Sequence, residues 1–229
     1  MRKRNVISVF GAKIQASALY AKSTAGPENE KTLLEASDIP DGMRLPCDRT
    51  RDGRFLIYSE AASKTGFDLW MLPLTVKGAP IPLLRGESNE RCGALSSDGR
   101  WLAYASDETG RSEIYVRAFS GTELTGSKWQ ISYNGGYSPR WRKDARELFF
   151  LGGDLTILGV NVSLGATVRA DIPQKLVTPG VFSPDATFDV TADGKRFIIP
   201  ATLSFANAES PAVVLNWIDG LGHRRQEVQ

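Results

Sequence analysis

Residue types that commonly do chemistry are scarce in this chain. One histidine, His223, stands near the C-terminus, and there are two cysteines, Cys47 and Cys92. A late histidine closes a Ser-Asp-His triad only where a Gly-x-Ser-x-Gly elbow supplies the nucleophile, and the sequence has no such elbow. His223 therefore reads as a surface residue. One histidine and two separated cysteines do not match a zinc site. Phosphate-binding loops, dinucleotide fingerprints and EF-hand loops are also missing. The residues predict neither enzyme activity nor a cofactor or metal. Asn161-Val162-Ser163 matches a glycosylation sequon, a short pattern that often arises by chance.

Asp52, Asp98, Asp144 and Asp193 resemble a carboxylate set until their surroundings are compared. Asp52-Gly53-Arg54-Phe55-Leu56-Ile57-Tyr58 returns as Asp98-Gly99-Arg100-Trp101-Leu102-Ala103-Tyr104. Worn copies follow at Asp144-Ala145-Arg146-Glu147-Leu148 and Asp193-Gly194-Lys195-Arg196-Phe197. The aspartates are 46, 46 and 49 residues apart, with a basic residue two positions on and a large apolar residue four positions on. Their recurrence makes them turn residues. Further along, Asp68-Leu69-Trp70-Met71 matches Glu113-Ile114-Tyr115-Val116. Cys47 and Cys92 precede their aspartates by five and six residues, so they too fall at similar places in neighbouring repeats.

Each repeat reads as four short strands. In the second, an apolar segment at 94–95 leads into a tight Asp-Gly turn, where Gly tolerates positive φ and Asp bonds its own backbone. A strand at 100–106, a polar loop, a β-branched and aromatic strand at 113–119 and a Gly/Thr/Ser loop at 121–127 follow. The fourth strand is expected at 128–131. Four antiparallel strands in about 40–50 residues describe a propeller blade, whose two faces both pack on neighbours. That double burial accounts for continuous apolar runs such as 55–58, where a sandwich strand would alternate.

The predicted fold is an all-β β-propeller of four-stranded antiparallel blades. Complete blades are expected at 43–84, 91–131, 137–178 and 186–228, with a partial one at 1–36. In the last blade the outer strands would be 212–217 and 223–228. In the partial blade, 19–22 and 31–34 fit a third and an outer strand, and 6–10 a second. The ring is expected either to close on five blades or to remain an open arc. Trp70, Trp101, Trp129 and Trp141 fall at strand positions, so they are expected to pack between blades.

Composition agrees with a globular chain: 41% hydrophobic, 24% charged, and 28 basic against 26 acidic residues. That balance argues against a nucleic-acid track. The N-terminus Met1-Arg2-Lys3-Arg4 is basic, but the apolar run at 6–10 is shorter than the roughly 7–15 residues of a signal peptide's apolar region. No run approaches the roughly 20 residues of a membrane span. A cytoplasmic location is expected, or an extracytoplasmic one if the N-terminus is truncated.

Ser97-Asp98-Gly99-Arg100-Trp101-Leu102-Ala103-Tyr104-Ala105-Ser106 resembles the S-P-D-G-[KR]-x-[IL]-A-[YF]-x-S core of TolB-like, WD-repeat-like propellers. Ser97 replaces the usual Pro, and Ala145 replaces Gly in the third copy. Gly66-Phe67-Asp68-Leu69-Trp70, Lys128-Trp129-Gln130-Ile131-Ser132, Pro139-Arg140-Trp141-Arg142 and Val213-Val214-Leu215-Asn216-Trp217 are similar to the C-terminal propeller of bacterial serine/threonine protein kinases. That resemblance covers roughly residues 19–221 and implies a sensing, docking or regulatory module. It implies no kinase activity, because the Gly-rich loop, His-Arg-Asp and Asp-Phe-Gly are missing. A fragment or stand-alone relative of such a protein is the expectation.

In a propeller, the loops between blades and those between strands two and three share one face around the central channel. Here that face carries residues 63–65, 87–91, 107–111 and 133–137. The candidate binding residues are Glu90, Arg91, Asp107, Arg111, Tyr133, Asn134, Tyr137 and Arg140, a mixture suited to a protein or peptide partner. An alternative is a small-ligand or enzymatic propeller using Glu90, Arg91 and Arg140 with perturbed ionisation. The lack of histidine weighs against it. A nonfunctional remnant is a third reading.

Overall fold

The computed structural model describes residues 18–21, 31–35, 43–62, 66–178 and 188–199. The strands expected at 6–10, 212–217 and 223–228, the loop 63–65 and His223 lie outside the described residues.

The described residues form strands joined by turns and loops, with no helix. A hairpin pairs β1 (Leu19–Ala21) with β2 (Lys31–Leu34). A four-stranded antiparallel sheet follows in chain order: β3 (Arg44–Arg49), β4 (Phe55–Ala62), β5 (Gly66–Pro73) and β6 (Ile81–Leu84). The next sheet repeats it: β7 (Glu90–Leu95), β8 (Trp101–Ser106), β9 (Glu113–Phe119) and β10 (Leu124–Gln130). The third has β11 (Tyr137–Trp141), β12 (Glu147–Leu151) and β13 (Ile157–Ser163). There, β14 (Arg169–Ala170) and β15 (Gln174–Val177) share the outer edge of β13. Finally β16 (Asp189–Val190) pairs with β17 (Phe197–Ile198).

The turn between the first two strands of each sheet explains the repeated aspartate. Asp98 Oδ1 accepts from the Ser96 hydroxyl at 2.6 Å and from the Arg100 amide at 3.1 Å. Ser96 Oγ in turn accepts the Trp101 amide at 3.0 Å. Thr50, Asp52 and Phe55 repeat this arrangement, as do Thr191, Asp193 and Arg196. In the worn copy Arg142 takes the hydroxyl's place, giving Asp144 two guanidinium bonds of 2.8 and 2.9 Å. Hydrogen bonding to the charged form depresses both carboxyls: Asp52 falls to about 2, chiefly through Thr50, and Asp144 to about 2, chiefly through Arg142.

Alternation along each strand sends side chains to opposite faces, and both faces are buried. Trp101, Ala103 and Ala105 of β8 join Leu148, Phe150 and Val160 of the following sheet. Leu102 and Tyr104 join Ile57, Leu69 and Met71 of the preceding one. Phe149, Leu151 and Ile157 face Phe188, while Leu56, Tyr58 and Leu72 face Leu19. All six residues of β8 are buried for this reason. The sheets therefore stack face to face in chain order, with inner strands side by side: β7 lies against β3 and β11, and β11 also touches β16.

Two elements differ from the sequence reading. The outer strand of the second sheet begins at Leu124, not 128, because a bulge between Thr125 and Lys128 lets the chain pair earlier; Gly126, at φ +66°, supplies the reversal. The third sheet carries five strands, because the far end of β13 pairs with Arg169–Ala170 before the chain returns as β15. Pro173, which has no N–H, lies in the break between them. The tryptophans pack as the strand positions imply. Trp101 and Trp129, edge-on to each other at 5.8 Å within one sheet, pack with Leu148 and Phe150 of the next; Trp70 packs with the cluster around Leu19, and Trp141 donates its indole N–H to the Ala94 carbonyl of the preceding sheet at 3.0 Å.

Candidate functional site

The inner strands β3, β7 and β11 each carry a bulge at the same place. Pairing skips Cys47 in β3, Cys92-Gly93 in β7 and Ser138-Pro139 in β11. Cys92 and Ser138 take left-handed backbone conformations there, with φ of 57° and 49°. A bulge redirects side chains and loosens pairing, and it is one of the few places a sheet tolerates proline. The three bulges lie on the wall of one cleft of about 760 Å³. Leu45, Cys47, Arg91, Cys92, Ser138 and Arg140 come from the inner strands; Asn89, Asp107 and Arg111 come from loops.

Five of the eight residues singled out from sequence line this cleft: Arg91, Asp107, Arg111, Tyr137 and Arg140. The Arg91 guanidinium lies 3.7 Å from the centroid of the Phe67 ring. Such stacking fixes its plane. Asp107 is a clamp: its two oxygens accept from the Asn89 amide at 2.8 Å and the Asn89 side-chain amide at 2.7 Å. Asn89 Oδ1 accepts from the Phe67 amide at 3.0 Å, so one side chain ties two sheets together. Arg111 is held by Glu113 through Nε at 2.9 Å and Nη2 at 2.8 Å, and it also donates to the Tyr133 carbonyl. Tyr137 borders the cleft, yet its ring also packs with Phe149 and Leu151. Arg140 donates Nη1 to the Pro139 carbonyl at 2.8 Å.

The remaining three residues stand apart from the lining. Glu90 is buried at the start of β7, 7% exposed, and its Oε2 makes no hydrogen bond. Burial, reinforced by Asp68, Asp107 and Glu108, pushes its carboxyl up to about 7, against the pull of Lys128. Tyr133 is 67% exposed, and Asn134 also faces solvent. Their loop is fixed through Gly135, whose amide donates to both Glu113 oxygens at 3.0 and 3.1 Å. A Cβ on Gly135 would sit 2.8 Å from the Gly153 Cα, so the close approach requires glycine.

Asn89 and Glu113 organise the site but escape a sequence reading aimed at exposed polar residues. A signal for Glu113 was present: Asp68 and Glu113 are both acidic at the same repeat position. Both cysteines are free thiols. Burial pushes the Cys47 thiol up to about 12, with nearby Cys92 adding to the effect, so it stays protonated at neutral pH. Among the described residues, no group of three or more His, Cys, Asp or Glu could hold a metal ion. No helix among them is long and apolar enough to cross a membrane.

Stacked four-stranded sheets, with inner strands facing a common cleft, define a β-propeller-type fold. Solved structures of similar fold include TolB from Acinetobacter baumannii, at TM-score 0.57 and 14% identity over 80% of this chain and 42% of that one. A protein assigned as TolB from Agrobacterium tumefaciens matches at TM-score 0.53 and 19% identity, covering 69% of this chain and 57% of that one. A puromycin-hydrolysing peptidase from Mycobacterium tuberculosis matches at TM-score 0.50 and 18% identity, covering 73% of this chain and 30% of that one. The fold is thus all-β and TolB-like. The chain spans between 30% and 57% of the length of these three proteins. No protein-family model and no curated protein matches it. The similarity to kinase-linked propellers is carried by the sequence segments alone.

Proposed function

We propose that the chain is a non-catalytic propeller module that captures a peptide segment of a protein partner in the cleft over the inner strands. The cleft itself carries this reading. Its volume of about 760 Å³ falls in the size range of binding sites, and its wall joins Tyr137 and three arginines, residue types that dominate protein recognition. Two groups lining the cleft that could act chemically are restrained. Each Asp107 oxygen accepts a hydrogen bond from Asn89, and burial holds the Cys47 thiol protonated. The kinase-like segments favour a sensing or docking role for the module.

A second reading, a small-ligand or enzymatic propeller, has two observations in its favour. A carboxyl near 7, as at Glu90, suits acid–base work at neutral pH, and a peptidase occurs among proteins of this fold. Against it, Glu90 is buried beside the cleft instead of lining it.

Selection of the full chain against a random-peptide display library tests the binding reading. Enriched peptides should lose affinity when Arg140→Ala or Tyr137→Phe is introduced. The phenylalanine variant keeps the ring that packs on Phe149. Failure to enrich any peptide, or enrichment indifferent to both variants, would reject the cleft as the binding site.

A further inference from the structure

We infer that the cleft selects an acidic peptide segment, with carboxylates paired to Arg91 and Arg140. This rests on the peptide-binding reading above and adds the chemistry of the ligand. Among the described residues, Arg91, Arg111 and Arg140 line the cleft against a single carboxylate, Asp107, whose two oxygens accept from Asn89. The whole chain is nearly neutral, so this imbalance is local. In a concave wall of low dielectric, such an imbalance concentrates positive potential.

The three arginines differ in their surroundings. Arg111 is 55% exposed but shares its charge with Glu113, which is 2% exposed and also bonded by Ser132 and Gly135. Arg111 is thus the orienting member. Arg91 and Arg140 stand on inner strands of consecutive sheets and so approach the cleft from two sides. The Phe67 ring holds the Arg91 guanidinium by its face, a posture suited to bidentate pairing with a carboxylate through its N–H fork. Arg140 feels the nearby Asp48 carboxyl, which is already bonded by the Leu95 and Arg49 amides at 2.8 and 2.7 Å.

Two further carboxylates near this wall weaken the field little. Burial favours the neutral form of Glu90, which is 7% exposed. Glu108 is paired with Lys128. Size argues for a peptide over a nucleic acid. The cleft holds a few residues, and three cations are few against the roughly 6–10 phosphate contacts of typical nucleic-acid binders.

Fluorescence anisotropy of the full chain with labelled hexaglutamate and labelled hexaglutamine tests the inference. Hexaglutamate should bind at least about tenfold more tightly than hexaglutamine, and Arg91→Gln or Arg140→Gln should each remove most of that advantage. Arg91→Lys and Arg140→Lys should restore part of it, since charge returns without the fork. Thermal melts of each variant separate lost binding from lost folding. Equal binding of the two peptides overturns the acidic selectivity while leaving peptide capture standing. Absence of hexaglutamate binding up to about 1 mM overturns the inference outright. Oligothymidylate that displaces hexaglutamate at equal concentration would reassign the cleft to phosphate backbones and also overturn it. Enrichment of neutral or basic peptides in the display selection would sink the acidic preference alone; no enrichment at all would sink the reading beneath it.

Discussion

At the scale of single residues, Glu90 sits where burial disfavours its charge. A carboxyl raised from 4.5 to about 7 binds its proton more tightly in the folded chain than in the unfolded one. Stability contributed by protonated Glu90 is therefore full below about pH 4.5 and is lost as pH rises toward 7. The shift sets a ceiling of about 3 kcal/mol on that loss. Glu90→Gln keeps the shape and removes the titration. Urea unfolding at pH 5 and pH 8 should show the variant more stable than the parent at pH 8, with little difference at pH 5. Equal gains at both pH values would mean that the Oε2 oxygen, not its charge, is what the site disfavours.

At the scale of elements, the aspartate turn offers a comparison within one molecule. Gly99 at φ +71° and Ala145 at φ +57° hold the same turn position in consecutive sheets. A side chain costs about 1 kcal/mol in that left-handed conformation, partly offset by glycine's greater freedom when unfolded. Gly99→Ala should lower stability by about 1 kcal/mol, and Ala145→Gly should leave it unchanged or raise it by up to about that amount. Chemical denaturation of the two variants beside the parent would show whether the signs are opposite. The Asp-Gly turn is legible in sequence because its type demands particular residues. Its other half was not read: Thr50, Ser96 and Thr191 each stand two residues before the aspartate, where a hydroxyl is too common to draw notice. The bulge in β10 and the extra strand β14 were also missed. Short pairings of two or three residues depend on the partner strand, which periodicity does not record.

At the scale of the whole molecule, burial on both faces of each sheet sets an order of resistance to opening. Strand β8 is buried throughout between two neighbouring sheets, whereas β15 is largely exposed on the rim of the third. Hydrogen exchange should therefore be slowest at β8 and β9 and faster by orders of magnitude at β15 and at the β16–β17 pair. Uniform protection across all sheets would contradict an assembly held by stacking. The double burial was readable from unbroken apolar runs, and the shared face of the loops from the blade plan. The tethering of Asp107 was not, because it depends on Asn89 meeting a loop 18 residues along the chain; Arg111 and Glu113 stand two residues apart, but the anchoring of Glu113 to Gly135 spans 22 residues. The bulges carry one more consequence. Packing between sheets falls to the alternating residues of the middle strands, while the cleft wall is written in the one or two residues that β3, β7 and β11 each leave unpaired and in their immediate neighbours. Replacing those short insertions need not disturb the stack, so the same scaffold can change its ligand by exchanging tripeptides at one repeated address.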